Sequence, residues 1–245
     1  MKPPFIQFKN VKKSFGLNHV MQGINLSIYK GEITAIIGKS GCGKSVLLKH
    51  IIGLMNEDSG AILISGHNIS NMKKKEKQEF RKKLSYMFQD NALFDFLNVY
   101  DNIALPLIEK SSFKKQEIKK RVMTKMDHLE IKDIEKKFPG ELSGGMKKRV
   151  ALARALVTEP DIVLFDEPTT GLDPIRKKNV HTMIKNYQKQ FKFTGVIVSH
   201  EIPEIFEISQ RIAMIDNGKI IFEGNPEQIK NNQTKKIHFF INPKE

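Results

Sequence analysis

Gly38-Lys39-Ser40-Gly41-Cys42-Gly43-Lys44-Ser45, preceded by Glu32-Ile33-Thr34-Ala35-Ile36-Ile37 and followed by Val46-Leu47-Leu48-Lys49-His50-Ile51-Ile52, decides the fold. The eight residues satisfy the pattern G-x-x-x-x-G-K-[ST] at every fixed position. The stretch before them is short, apolar and β-branched, as expected of a strand buried on both faces of a parallel sheet. The stretch after them places apolar residues at helical spacing. A strand, a glycine-rich turn and a helix in that order aim backbone N–H groups and a helix N-terminus at an anion. Gly38, Gly41 and Gly43 let the backbone wrap phosphate oxygens, with Lys39, Ser40, Cys42 and Val46 lending further N–H groups. Lys44 reaches the β- and γ-phosphates, and the Ser45 hydroxyl suits Mg²⁺. The implied ligand is a nucleoside triphosphate. Cys42, beside Lys44 and a helix start, is expected to favour its thiolate.

Composition sets the frame. The chain has 245 residues, 40% of them hydrophobic and 28% charged, which suffices for one large α/β domain. No apolar run approaches the length of a membrane span, and Met1-Lys2-Pro3-Pro4-Phe5 has no signal-peptide character. A single cysteine excludes an internal disulfide and fits a reducing cytoplasm. The net charge of +14 points to an anionic neighbour. Much of it lies in lysine clusters, at Lys73-Lys74-Lys75 with Lys77, at Arg81-Lys82-Lys83, and at Lys119-Lys120-Arg121. No aromatic residues interleave with them to stack on bases, so nucleic acid is not expected. An anionic leaflet and a merely solvated surface both remain open.

Along the chain, residues 5–10 and 24–29 read as strands, with Asn18-His19 as a turn between two β segments. Ala61-Ile62-Leu63-Ile64 is another strand, residues 72–83 are polar and helical, and residues 100–138 carry helical periodicity. Ile162-Val163-Leu164-Phe165 and Val196-Ile197-Val198 are the second and third buried parallel strands. Arg211–Phe222 reads as a hairpin on Asn217-Gly218. The expected organisation is a nucleotide-binding domain over 1–228, with a helical insertion at about 90–158, and a tail over 229–245 whose apolar patch Phe239-Phe240-Ile241 is a candidate contact with a neighbouring copy.

Two further stretches carry chemistry. The strand at Ile162–Phe165 delivers Asp166 and Glu167 at its C-terminal end, where open α/β sheets bind ligands. Asp166 is the candidate partner of Mg²⁺ and Glu167 the candidate base for an attacking water. Leu142-Ser143-Gly144-Gly145-Met146 opens a basic helix and forms a second phosphate-binding terminus. Taken alone it is equally an ordinary serine N-cap. One phosphate chain does not need two cradles from one monomer, whereas two chains arranged head to tail would use both.

With these motifs in this order, residues 5–228 resemble the ATP-binding cassette (ABC) ATPases. The resemblance implies a P-loop NTPase core with a mostly parallel sheet, an N-terminal antiparallel β subdomain and a helical insertion. It places Phe15 where an aromatic ring stacks on adenine, a role that competes with a core phenylalanine. It makes Gln89 the loop glutamine that contacts Mg²⁺ and senses the permease. Gly171-Leu172-Asp173 becomes the loop touching the opposite monomer, and His200 the switch histidine on the γ-phosphate. Catalysis then rests on Lys44, Glu167 and His200, and Mg²⁺ binding on Ser45, Gln89 and Asp166. Ser143, Gly144, Gly145 and Asp173 complete a second copy's ATP site. The implied cofactors are ATP and Mg²⁺, and the implied partners are a second copy and integral-membrane permease subunits.

The wording inside the motifs narrows the resemblance. Chromosome-maintenance members insert a long coiled coil between P-loop and signature, and no sustained heptads stand here. Translation-associated members carry two cassettes, and a P-loop kinase would lack the signature. The continuation Val46–Leu54, the segment Asn91–Leu107 and Met146 in place of glutamine are similar to the ATPases of Mce-associated (Mla-type) phospholipid transporters. A lipid-binding Mce-type subunit is then a further expected partner, and the cytoplasmic face of the inner membrane the expected location. An importer of amino acids or other small solutes is the alternative. Phe94, Phe96, Leu97 and Tyr100 form an apolar patch fit to receive a permease helix.

Overall fold

The computed structural model describes residues 3–88, 92–110 and 113–242. The chain opens with a long hairpin, β1 (Ile6–Phe15) and β2 (Asn18–Ile28), and then β3 (Ile33–Ile37) runs through the P-loop into α1 (Lys44–Ile51). Next come β4 (Ser59–Ile64), β5 (His67–Asn68), α2 (Lys74–Lys82) and β6 (Leu84–Met87). The helical insertion contributes α3 (Val99–Lys110), α4 (Lys115–His128) and α5 (Gly144–Leu156). The second half supplies β7 (Ile162–Asp166), α6 (Pro174–Phe191), β8 (Thr194–Ser199), β9 (Arg211–Asp216) and β10 (Lys219–Gly224), then α7 (Pro226–Lys230) and α8 (Lys235–Ile241).

Two sheets result. The antiparallel one has the order β2-β1-β4-β5, and the other has the order β10-β9-β3-β8-β7-β6, parallel from β9 through β6. In β3, Ile36 faces one hydrophobic cluster while Ala35 and Ile37 face the other; Leu164 and Phe165 of β7 divide likewise. Both faces are covered, so the strands read as continuous apolar runs rather than alternating ones. Each fully buried Ile, Val or Leu side chain contributes about 1.5–3 kcal/mol of transfer free energy.

Strand register is what positions the site. Ile37 lies beside Ser199, and Asp166 beside Val198. The chain therefore leaves β3, β8 and β7 at one edge, and the P-loop, His200 and Asp166-Glu167 emerge as neighbours from three adjacent parallel strands. This is the edge where ligands bind in open α/β sheets.

The structure corrects three local expectations. The turn between the first two strands falls at Gly16-Leu17, and Asn18 already pairs with Phe15. Gly16 has φ +58°, a conformation it accepts without a Cβ penalty, so a two-residue reversal fits there. Both hairpin strands are longer than expected. Strand β6 was not foreseen, because Leu84-Ser85-Tyr86-Met87 follows a polar helix directly and is too short to show a period. In the tail, Ile237 and Ile241 are buried in the chain's own core and Phe240 packs against it, leaving Phe239 exposed. Among the described residues no helix is long and apolar enough to cross a membrane.

Candidate active site

The P-loop is built on close backbone packing. A Cβ on Gly38 would meet the Ile215 carbonyl oxygen and stand 2.7 Å from Cys42 Sγ. Gly43 has φ +102°, and a Cβ there would lie 2.9 Å from Val20 Cγ1. Only glycine fits either position. The Val20 contact also brings the end of the β1–β2 hairpin against the loop, and with it Phe15. That ring is 46% exposed and carries the Lys13 ammonium 5.7 Å from its centroid. Exposure removes the core-phenylalanine reading.

Gly43 opens α1 with no side-chain cap, so the first N–H groups of the helix have no intrahelical partner. Lys44 is 4% exposed. Its Nζ donates to the Gly38 and Lys39 carbonyls, both at 3.0 Å, and lies 3.8 Å from Glu167 Oε1. The loop thus curls around its own lysine. Val46 packs its side chain against the core, so its part toward a phosphate is the backbone N–H alone.

Two hydroxyls converge on Asp166 at the end of β7. Ser45 Oγ donates to Asp166 Oδ1 at 2.9 Å, and the Tyr86 hydroxyl donates to Asp166 Oδ2 at 2.6 Å. Burial pushes the Tyr86 phenol up, and the neighbouring Asp166 carboxylate raises it further. Tyr86 therefore stays a donor. Glu167, at φ +49°, turns out of the strand in the left-handed region that ordinary residues visit rarely. Its Oε2 lies 3.3 Å from His200 Nδ1 and accepts from Thr170 Oγ1 at 3.0 Å. Lys44, Glu167 and His200 are thereby in one group.

The other expected site residues sit elsewhere on this protomer. Ser143 caps α5 by accepting from the Met146 N–H at 3.3 Å, and Gly144 and Gly145 leave open space where side chains would stand. These three border a cavity of about 340 Å³ with Arg149, Leu172 and Arg176, and no P-loop residue lines it. Asp173 caps α6, accepting from the Arg176 N–H at 3.0 Å. Gln89 lies outside the described residues.

The Cys42 expectation is reversed. Burial pushes its thiol above the ordinary range, and Lys44 with the backbone N–H groups does not offset it. The missed residues are Tyr86, Lys148, Thr169 and Glu201. Lys148 is buried and donates to the Pro168 carbonyl at 2.6 Å, tying α5 to the loop after Glu167. The only sequence signal for Tyr86 was a polar tip two residues short of Phe88-Gln89.

A P-loop, a strand-borne Asp-Glu pair and a strand-end histidine on one parallel edge, beside an antiparallel sheet and a helical insertion, define a P-loop ATPase cassette. Residues 21–170 match the family described as ABC transporter, and the chain belongs to it. As a member it is an ATP-hydrolysing subunit of a transporter. It is 39% identical over 97% of its length to the probable ribonucleotide transport ATP-binding protein Mkl of Mycobacterium leprae, covering 68% of that protein. It is 36% identical over 98% of its length to the intermembrane phospholipid transport system ATP-binding protein MlaF of Haemophilus influenzae, covering 91% of it. Against the methionine import ATP-binding protein MetN of Francisella tularensis, identity is 40% with 66% of that protein covered. Among solved structures, cbiO1 from Clostridium perfringens, part of the ABC transporter complex cbiONQ, superposes with a TM-score of 0.87 at 29% identity, over 99% of this chain and 96% of that one. The cassette MJ0796, in a dimeric post-hydrolysis state bound to ADP and Pi, gives 0.78 at 30% identity, over 90% and 98%.

Proposed function

We propose that two copies of this chain close around two ATP molecules and that the resulting hydrolysis drives a separate integral-membrane permease carrying phospholipid. The observation that carries the catalytic part is Glu167, held between Lys44 and His200 at the end of β7. Glu167 takes a proton from water as the water oxygen bonds to the γ-phosphorus and the bond to the bridging oxygen breaks. Lys44 and the N–H groups of α1 bind the phosphates, and His200 holds the γ-phosphate. Ser143, Gly144 and Gly145, which border a cavity that no P-loop residue of their own chain lines, cap the nucleotide of the other copy, with Asp173 at the contact.

Ser45 and Asp166 fit a magnesium ion. Among the described residues no cluster of three His, Cys, Asp or Glu side chains could hold a metal unaided. Magnesium suits such a sparse donor set, since it keeps waters and takes phosphate oxygens. When bound it would neutralise charge on the phosphates. Ser45 and Asp166 would hold it, with Gln89 a third candidate.

Phospholipid as the cargo is supported by the wording at Val46–Leu54, Asn91–Leu107 and Met146. The similarity to MlaF also spans 91% of that protein, whereas the chain spans about two thirds of Mkl and MetN. A membrane-anchored Mce-type lipid-binding subunit accompanies this reading. Phe94 and Phe96 are exposed with ring centroids 5.6 Å apart, a surface suited to a permease helix. The small-solute importer remains the second reading, on the MetN likeness.

Glu167→Gln tests the catalytic assignment. The variant should bind ATP, lose at least a hundredfold in turnover and run as an ATP-dependent dimer in size-exclusion chromatography. Wild-type turnover would refute the base.

A further inference from the structure

Glu201 follows the proposed switch histidine, yet its carboxylate points inward. The side chain is 8% exposed, and three elements meet on it. Thr169 Oγ1, from the loop after Glu167, donates to Oε2. Lys177 Nζ, from α6, lies 2.7 Å from Oε1. The Glu201 N–H donates to Ser199 Oγ at 3.0 Å, closing the turn that carries His200. Thr169 is 1% exposed, so its bond is shielded from water.

A buried carboxylate is retained only where partners compensate its desolvation. Burial pushes Glu201 up, and the Lys177 and Thr169 contacts outweigh this and hold it below the ordinary carboxylate range. It is therefore charged, and its charge joins three segments through Thr169, Lys177 and the turn at Ser199. Two of them carry the groups around the reacting phosphate. The Thr169 segment starts at Glu167, whose left-handed backbone needs support from its surroundings. The Ser199–Glu201 turn carries His200. The third element, α6, begins at the Asp173 cap, one helical turn before Lys177.

We propose that Glu201 is a positioning residue: its bonds to Thr169 and Lys177 fix the distance between Glu167 and His200, and thereby the rate of hydrolysis rather than the binding of ATP. This rests on the roles given above to Glu167 and His200. Misplacing a catalytic group by about 1 Å can cost a hundredfold in rate, and the expected loss here is about tenfold because Lys44 and Thr170 still hold Glu167.

The test uses Thr169→Val, which removes the hydroxyl, and Glu201→Gln, which keeps the shape and removes the charge. Steady-state ATPase kinetics should show kcat down about tenfold with KM within twofold. Stoichiometry of a fluorescent ATP analogue should be unchanged. The double variant should be no slower than the slower single one, because both substitutions break one unit. If binding stoichiometry falls in proportion to rate, the contacts serve folding and the proposal is overturned. It is also overturned if kcat stays within twofold in both variants while Glu167→Gln and His200→Ala are inactive. Wild-type turnover in those last two variants would instead remove the catalytic reading beneath it.

Discussion

Cys42 shows how one residue's neighbours can compete. Proximity to Lys44 and to a helix start favours the thiolate, yet burial disfavours any charge, and burial is the larger influence. A thiol pushed upward has less thiolate at neutral pH than a free cysteine. Maleimide labelling at pH 7 should therefore run more slowly than labelling of a cysteine-containing peptide, and climb with pH beyond the point where the peptide levels off. MgATP should slow it further, because Cys42 lies inside the loop. A labelling rate equal to the peptide's across pH 6–9 would show the burial argument to be wrong. The sequence supported Lys44, Ser45, Asp166 and Glu167 because each stands in a short local pattern with one physical purpose. It was silent on Tyr86, Lys148 and Glu201, whose partners lie 80, 20 and 32 residues away. Such contacts depend on how strands are ordered in the sheet, which no local window contains.

At the scale of elements, legibility follows the same division. The hairpin on Asn217-Gly218 was clear because its turn residues accept positive φ, +45° and +70° here. Strand β6, with four residues, gains its identity only by pairing with β7. Helix α6 carries a feature with a measurable consequence. His181 is 3% exposed, and among the described residues neither ring nitrogen has a hydrogen-bond partner. Burial lowers its pKa, with Glu201, Glu204 and Glu207 opposing and Lys177 assisting. The folded protein thus keeps His181 neutral. Below about pH 6.5, the ordinary histidine value, the unfolded chain takes up a proton that the folded chain refuses, and stability falls. The slope approaches about 1.4 kcal/mol per pH unit at most for one such group. His181→Leu should remove this component. Urea melts at pH 7.5 and 5.5 should show a smaller acid loss in the variant than in the parent protein, with the variant at least as stable at pH 7.5. An identical acid loss in both would mean that His181 is protonated in the folded state.

On the whole-molecule scale, the nucleotide cycle and the cargo are separable, because no residue of the cassette need touch what is moved. The surface gives a first physical hint. A net charge of +14 favours an anionic leaflet, at about 1 kcal/mol for each lysine close to the lipid. Not all of that charge is available. Arg81 donates to the Ile52 and Gly53 carbonyls, and Lys82 pairs with Glu79, whereas Lys73, Lys74 and Lys75 are exposed. Purifying the chain with its native membrane partner decides the cargo. The phospholipid reading expects a permease with bound phospholipid, a membrane-anchored lipid-binding subunit, and ATPase activity that changes when phospholipid is added. A soluble solute-binding protein, with activity stimulated by an amino acid, would overturn that reading and leave the ATPase intact. The same preparation checks the origin of any lipid effect. If phospholipid alters the isolated cassette as strongly as the complex, the lysine surface is responding to the membrane. If the response requires the permease, coupling runs through the chain-to-permease contact.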